Sequence, residues 1–186
     1  MQDPVGRGII AGAIGVIAIN LVEVLLTYLK ISETPLWQAG GIVFLNEDAL
    51  KTPLGIAIGV FSHVFIALVI GVVIAYYIYY SGTDFAAIKG AGLSIIAGFT
   101  VLAIIFPLRG IAKEMQSSPR DVLSALIDHA VFGLLAGFIV KYLQLKYNAN
   151  DSKSSDSEKK CKYVKVLLKR HFKEPSKVNF KKPKKI

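Results

Sequence analysis

The sequence predicts an all-α, four-helix transmembrane bundle with a basic amphipathic C-terminal tail. Three observations predict it. The 186 residues are 53% hydrophobic and only 19% charged, with a mean hydropathy of +0.52, where soluble domains carry about 25% charge. Four continuous apolar runs are each long enough to cross a bilayer. The charge is also uneven: residues 1–143 hold 8 Lys/Arg against 9 Asp/Glu, and residues 144–186 hold 14 against 4, so the net +9 comes from the tail. A near-neutral apolar body joined to a cationic end fits a membrane protein whose tail meets an anionic surface.

A helix needs about 20 mostly apolar residues to cross the hydrocarbon core. The windows are residues 8–29, 54–80, 87–108 and 122–143. Lipid admits only helices and closed barrels, because every backbone polar group must be satisfied internally. These runs are continuous rather than alternating, which excludes barrel strands. A soluble bundle is excluded too, since the windows leave no polar faces to meet water.

The first span reads as retained rather than cleaved. Its apolar run is too long for a signal peptide, and no small-x-small site precedes Lys30. Next comes a longer loop, 31–53, carrying Trp37, Gly40, Gly41, Glu47 and Asp48; its apolar middle, 37–45, is too short to cross and is expected along the interface. Ser81, Gly82 and Asp84 make a tight turn between spans two and three. Pro107, Arg109 and Gly110 end span three, and Ser117, Ser118 and Pro119 lead into span four. Tyr76, Tyr77, Tyr79, Tyr80, Tyr142 and Tyr147 form an aromatic belt on the side of the termini. Counting the tail, the excess of Lys and Arg places both termini in the cytoplasm.

Helices in lipid associate through close backbone approach, with small residues at the seams. Pairs at spacing four occur in every span: Gly8 and Gly12, Gly55 and Gly59, Ser94 and Gly98, Gly133 and Gly137. They predict a compact bundle with its small faces turned inward.

Polar residues inside the spans are the candidate functional set: Asn20 and Glu23, Ser62 and His63, Thr100, Asp128 and His129. Counted from the side opposite the termini, Glu23, His63 and Asp128 all lie roughly 10–14 Å deep at 1.5 Å per residue. Three helices therefore bring ionisable groups to one level. Asn20 and Glu23 are expected to share a face. Adjacent residues on a helix point about 100° apart, so His129 is expected to face the interior, with Asp128 in a neighbouring seam or paired with span three. A charge at this depth costs at least about 2.5–3.5 kcal/mol, so the groups must pair, neutralise or bind something.

Three readings follow. The cluster is a proton or ion pathway in a small transporter or channel-like homo-oligomer; or a polar staple that holds the helices together; or a metal site with Glu23, His63 and His129 as ligands. No H-E-x-x-H spacing supports the metal, and Ser62-His63 is no dyad, so the sequence predicts no enzyme and no cofactor. Arg109 either snorkels to the surface or presents its guanidinium to an anion. The single Cys161 excludes an intrachain disulfide.

His63-Val64-Phe65, Phe106-Pro107-Leu108-Arg109-Gly110 and Asp128-His129 resemble the YagU-type family of small bacterial inner-membrane proteins, although the chain lacks a Pro-rich first loop. The resemblance implies a bacterial inner-membrane location and a link to acid tolerance.

The tail begins with a polar stretch, 148–158, expected to be a flexible linker. In the basic tail that follows, 159–186, apolar Cys161, Val164, Leu168 and Phe172 recur among Lys160, Lys162, Lys165, Lys169, Arg170 and Lys173. That is the pattern of a basic amphipathic helix on an anionic leaflet. The neighbouring bilayer favours lipid over nucleic acid as its partner.

Overall fold

The computed structural model describes residues 3–110 and 118–171, with the backbone alone for 109 and 150–171. Among the described residues every regular element is helical. Helix α1 (Pro4–Tyr28) starts behind Asp3, whose carboxylate accepts the Val5 N–H at 3.0 Å, with Pro4 at the first helical position. The first loop contains two short helices, α2 (Leu36–Gly41) and α3 (Glu47–Leu50), the second capped by the Asn46 side chain on Ala49 N–H. Thr52 Oγ1 accepts the Gly55 N–H to open α4 (Pro53–Ser81). Gly82, at φ 83°, makes the turn into α5 (Ala86–Thr100).

Span three then departs from α geometry. Residues Val101–Ile105 form one π-helical turn, in which the Phe106 N–H bonds the Val101 carbonyl. Pro107 has no N–H to give, and its ring presses on the carbonyl four residues back. Widening the preceding turn relieves that conflict before the chain continues as α6 (Phe106–Arg109). The last helix is α7 (Pro119–His171).

Four of these segments are long and apolar enough to span a membrane: Pro4–Tyr28, Pro53–Ser81, Ala86–Leu108 and Pro119–Ala149. Their outward faces are apolar as well; Ile17, Leu21, Val24, Phe61, Ile96 and Phe138 are all exposed. Water would penalise such a surface and lipid would not. The fold is that of a multi-pass membrane protein. The tyrosines of the belt, Tyr76, Tyr77, Tyr79, Tyr80 and Tyr142, are exposed.

Glycine decides how the spans approach. A Cβ on Gly12 would lie 2.7 Å from the Ala67 carbonyl oxygen, and one on Gly71 would lie 2.8 Å from Gly12 Cα, so spans one and two touch backbone to backbone. Spans three and four do the same, with Gly90 against Gly133 and Gly137, and Gly137 against Ala86. The pair Gly55 and Gly59 behaves differently from the sequence expectation. It faces no other span: Gly55 receives Ala49 and Leu50, and Gly59 receives Trp37. The first loop folds back onto span two at those glycines, and Gly40 of α2 sits against the His63 backbone. Ile42 and Leu50 of the loop are buried with Phe106 and Ala125 from spans three and four.

The chain divides into two compact units, Met1–Leu145 and Lys146–Ile186. In the second, the backbone is helical as far as His171, including residues 148–158, where composition predicts a linker. Asp156 and Lys160, like Glu158 and Lys162, stand four apart with the acid first, a spacing that supports a helix. Lys160, Lys162, Lys165, Lys169 and Arg170 fall on this backbone; Lys173 lies outside the described residues.

Candidate functional site: a buried carboxyl pair beside an apolar cavity

Glu23 and Asp128 are buried at 7% and 2% exposure, on spans one and four, and they lie against each other. Glu23 is fully provided for. Ser32 Oγ donates to its Oε1 at 2.6 Å and Ser124 Oγ to its Oε2 at 3.1 Å. These bonds join span one, the first loop and span four at a single carboxyl. Asp128 has nothing equivalent, for no N–H or alcohol O–H reaches either of its buried oxygens, and its polar contact is the Glu23 carboxyl itself. Two carboxyl groups in contact can bond each other only through a proton or a cation held between them.

Two imidazoles complete the group. His129 Nδ1 is 3.3 Å from Ser94 Oγ on span three, and its ring lies over Gly98, where a Cβ would come within 2.7 Å of Nε2. The Ser94 and Gly98 stripe thus makes room for a side chain rather than for a backbone. His63, on span two, has its Nε2 buried without a partner. His63, Asp128 and His129 all line one cavity of about 150 Å³, whose remaining walls are apolar. The π turn contributes Val101 and Leu102 to it, and α2 with the residues after it contributes Leu36, Ala39, Gly40 and Val43.

A further carboxylate holds that loop in place. Asp121, at the start of span four, accepts from Glu33 N–H at 2.8 Å, Thr34 N–H at 3.3 Å and Thr34 Oγ1 at 2.9 Å. It is 4% exposed. The loop that walls the cavity is therefore tied down by Asp121 and by the Ser32–Glu23 bond.

The polar residues predicted from the sequence divide into two groups. Glu23, His63, Asp128 and His129 come together. Asn20 and Thr100 do not: both are exposed, and each bonds a carbonyl of its own helix, Val16 at 2.6 Å and Ile96 at 2.8 Å. Ser62 is buried but bonds the Ile58 carbonyl. Short polar side chains satisfy themselves in this way inside a helix, so depth alone does not aim them inward. On span four, Asp128 lies in the seam with span one, and His129 meets span three. Adjacent residues 100° apart can both be interior when the helix lies between two neighbours.

Ser32, Ser124, Ser94 and Asp121 belong to the site although depth did not single them out. Arg7, at the opposite end of span one, is buried as well. Among the described residues, no group of three His, Cys, Asp or Glu side chains is placed to hold a metal ion, which leaves the ligand set Glu23, His63 and His129 without support. The Arg109 side chain lies outside the described residues. Comparison with protein-family models, with curated proteins and with solved structures finds no match.

Proposed function

We propose that the chain is a small proton- or cation-linked membrane transporter in which Asp128 is the group that takes up and releases the charge. One observation carries this reading: Asp128 lies against the hydrogen-bonded Glu23, beside a cavity, and no N–H or alcohol O–H reaches either of its oxygens. A purely structural carboxyl is expected to be saturated by such donors, as Glu23 is. One that lacks them at membrane depth costs several kcal/mol and is retained where it binds something. His63 and His129 line the same cavity and offer it partners for a proton. The uneven charge of the chain supports cytoplasmic termini, and its basic tail supports contact with anionic lipid. A bacterial inner membrane and a YagU-type relationship remain part of the same proposal.

The second reading, a polar staple, is favoured by Glu23 itself, which ties two spans and a loop through Ser32 and Ser124. The two readings divide between the two carboxyls. In proteoliposomes loaded with a pH-sensitive dye, Asp128→Asn is expected to abolish proton flux while the melting temperature of the purified protein stays within a few degrees. Wild-type protein that carries no flux, together with an Asp128→Asn variant that melts far lower, would leave only the staple.

A further inference from the structure

The cavity states what kind of solute it would take. An apolar void of about 150 Å³ holds a ring the size of benzene. Phe132, Ile66, Ile70 and Leu102 provide its apolar wall. Its polar wall contains Asp128, 2% exposed and with no N–H or alcohol O–H on its oxygens, and His63, with an unpartnered Nε2. The carboxylate oxygens accept, and the imidazole nitrogen accepts in the tautomer protonated at Nδ1. Such a set repels an anion. It also suits an alkali or alkaline-earth ion poorly, because these need a shell of several oxygens. An ammonium group has three donors to spend on two oxygens and one imidazole nitrogen, and its hydrocarbon part would meet the apolar wall.

We propose that the cavity binds a small amphipathic monocation: one ammonium group seated on Asp128 and His63, and one aromatic or branched hydrocarbon group of about benzene size packed on Phe132 and Leu102. This inference rests on the transporter reading and names its substrate class. The charge of the ligand would also settle the Glu23–Asp128 contact, since a cation beside Asp128 balances the second carboxylate.

The test uses the full chain in lipid nanodiscs, titrated calorimetrically with three probes of similar size: benzylammonium, benzyl alcohol and benzoate. Benzylammonium is expected to bind at least about tenfold more tightly than benzyl alcohol, the discrimination that 1.4 kcal/mol provides, and benzoate is expected not to bind. Asp128→Asn should bring benzylammonium down to the level of benzyl alcohol. Ala97→Leu, which adds bulk to the cavity wall from span three and leaves both polar side chains in the sequence, should remove both ligands. Equal binding of benzylammonium and benzyl alcohol to the wild type, binding of benzoate, or no binding of any probe would overturn the proposal. Those wild-type results decide even if Asp128→Asn fails to fold. Proton flux without benzylammonium binding overturns the substrate class alone, whereas binding without flux overturns the transporter and leaves the ligand site standing.

Discussion

Glu23 and Asp128 touch across the seam between the first and last spans, and only Glu23 is supplied with hydrogen-bond donors. Under the proposed function the asymmetry separates two jobs that sequence position alone would merge, holding the fold and handling a charge. The variants below pull them apart.

Glu23→Ala leaves Ser124 without its acceptor and Ser32 with only the longer bond to the Thr34 carbonyl, at 3.4 Å. A buried hydroxyl stripped of its partner costs about 1–3 kcal/mol. The expected result is a much lower melting temperature in detergent. Glu23→Gln keeps one acceptor oxygen for one of the serines and should lose about half as much.

Asp121→Ala removes the anchor of residues 33 and 34. Bonds to a charged acceptor are worth about 1.5–3 kcal/mol, and here the loss falls on the loop before it falls on the bundle. Hydrogen exchange should rise over residues 31–45 while the span interiors stay protected. Uniform exchange across the chain would contradict the assignment of Asp121 to the loop.

Gly12→Val and Gly90→Val place side chains where another backbone already lies. Forcing the helices apart costs about 1–3 kcal/mol, as overpacking of cores generally does. Both variants should melt lower and aggregate. Gly92→Ala provides the control, because a Cβ there meets nothing within 4 Å. That change should leave the protein unaltered or up to about 1 kcal/mol more stable through helix propensity alone.

Gly98→Ala is aimed at the site instead of the seam. The new methyl group meets the His129 imidazole, an end that can swing away. Its effect should therefore be a modest loss of stability with a flux defect comparable to that of His129→Ala. A flux-neutral Gly98→Ala would show that the position of the imidazole is immaterial.

Most of the architecture could be read from the chain before any coordinates. Spans 8–29, 54–80, 87–108 and 122–143 were marked by hydropathy, because a bilayer imposes length and apolarity on every crossing whatever its sequence. Half of the site was readable for the same reason. Glu23, His63, Asp128 and His129 are expensive at their depth and so announce themselves. Asn20 and Thr100 are cheap there, since each can spend its hydrogen bond on its own helix, and depth is no guide to their direction. Ser32 and Asp121 went unnoticed for the opposite reason: at loops and span ends a polar residue is ordinary. Only the pairing of residues 87 and 101 positions apart, in the Thr34–Asp121 and Glu23–Ser124 bonds, reveals what they do. The glycine stripes gave the seams but not their partners, as Gly55 and Gly59 demonstrate by receiving a loop.

The glycine contacts have a mechanical consequence. Spans one and two form one hairpin zipped at the backbone, and spans three and four form another. Across the two hairpins the meeting points described are side chains: Phe132 on Gly15, and Ser124 with Asp128 on Glu23. Backbone zips resist sliding, whereas rotamers can exchange one packing for another. Spans one to four are thus joined as two backbone-zipped hairpins along a seam of side chains. The cavity takes its lining from both hairpins and from the first loop, so its walls belong to that softer seam.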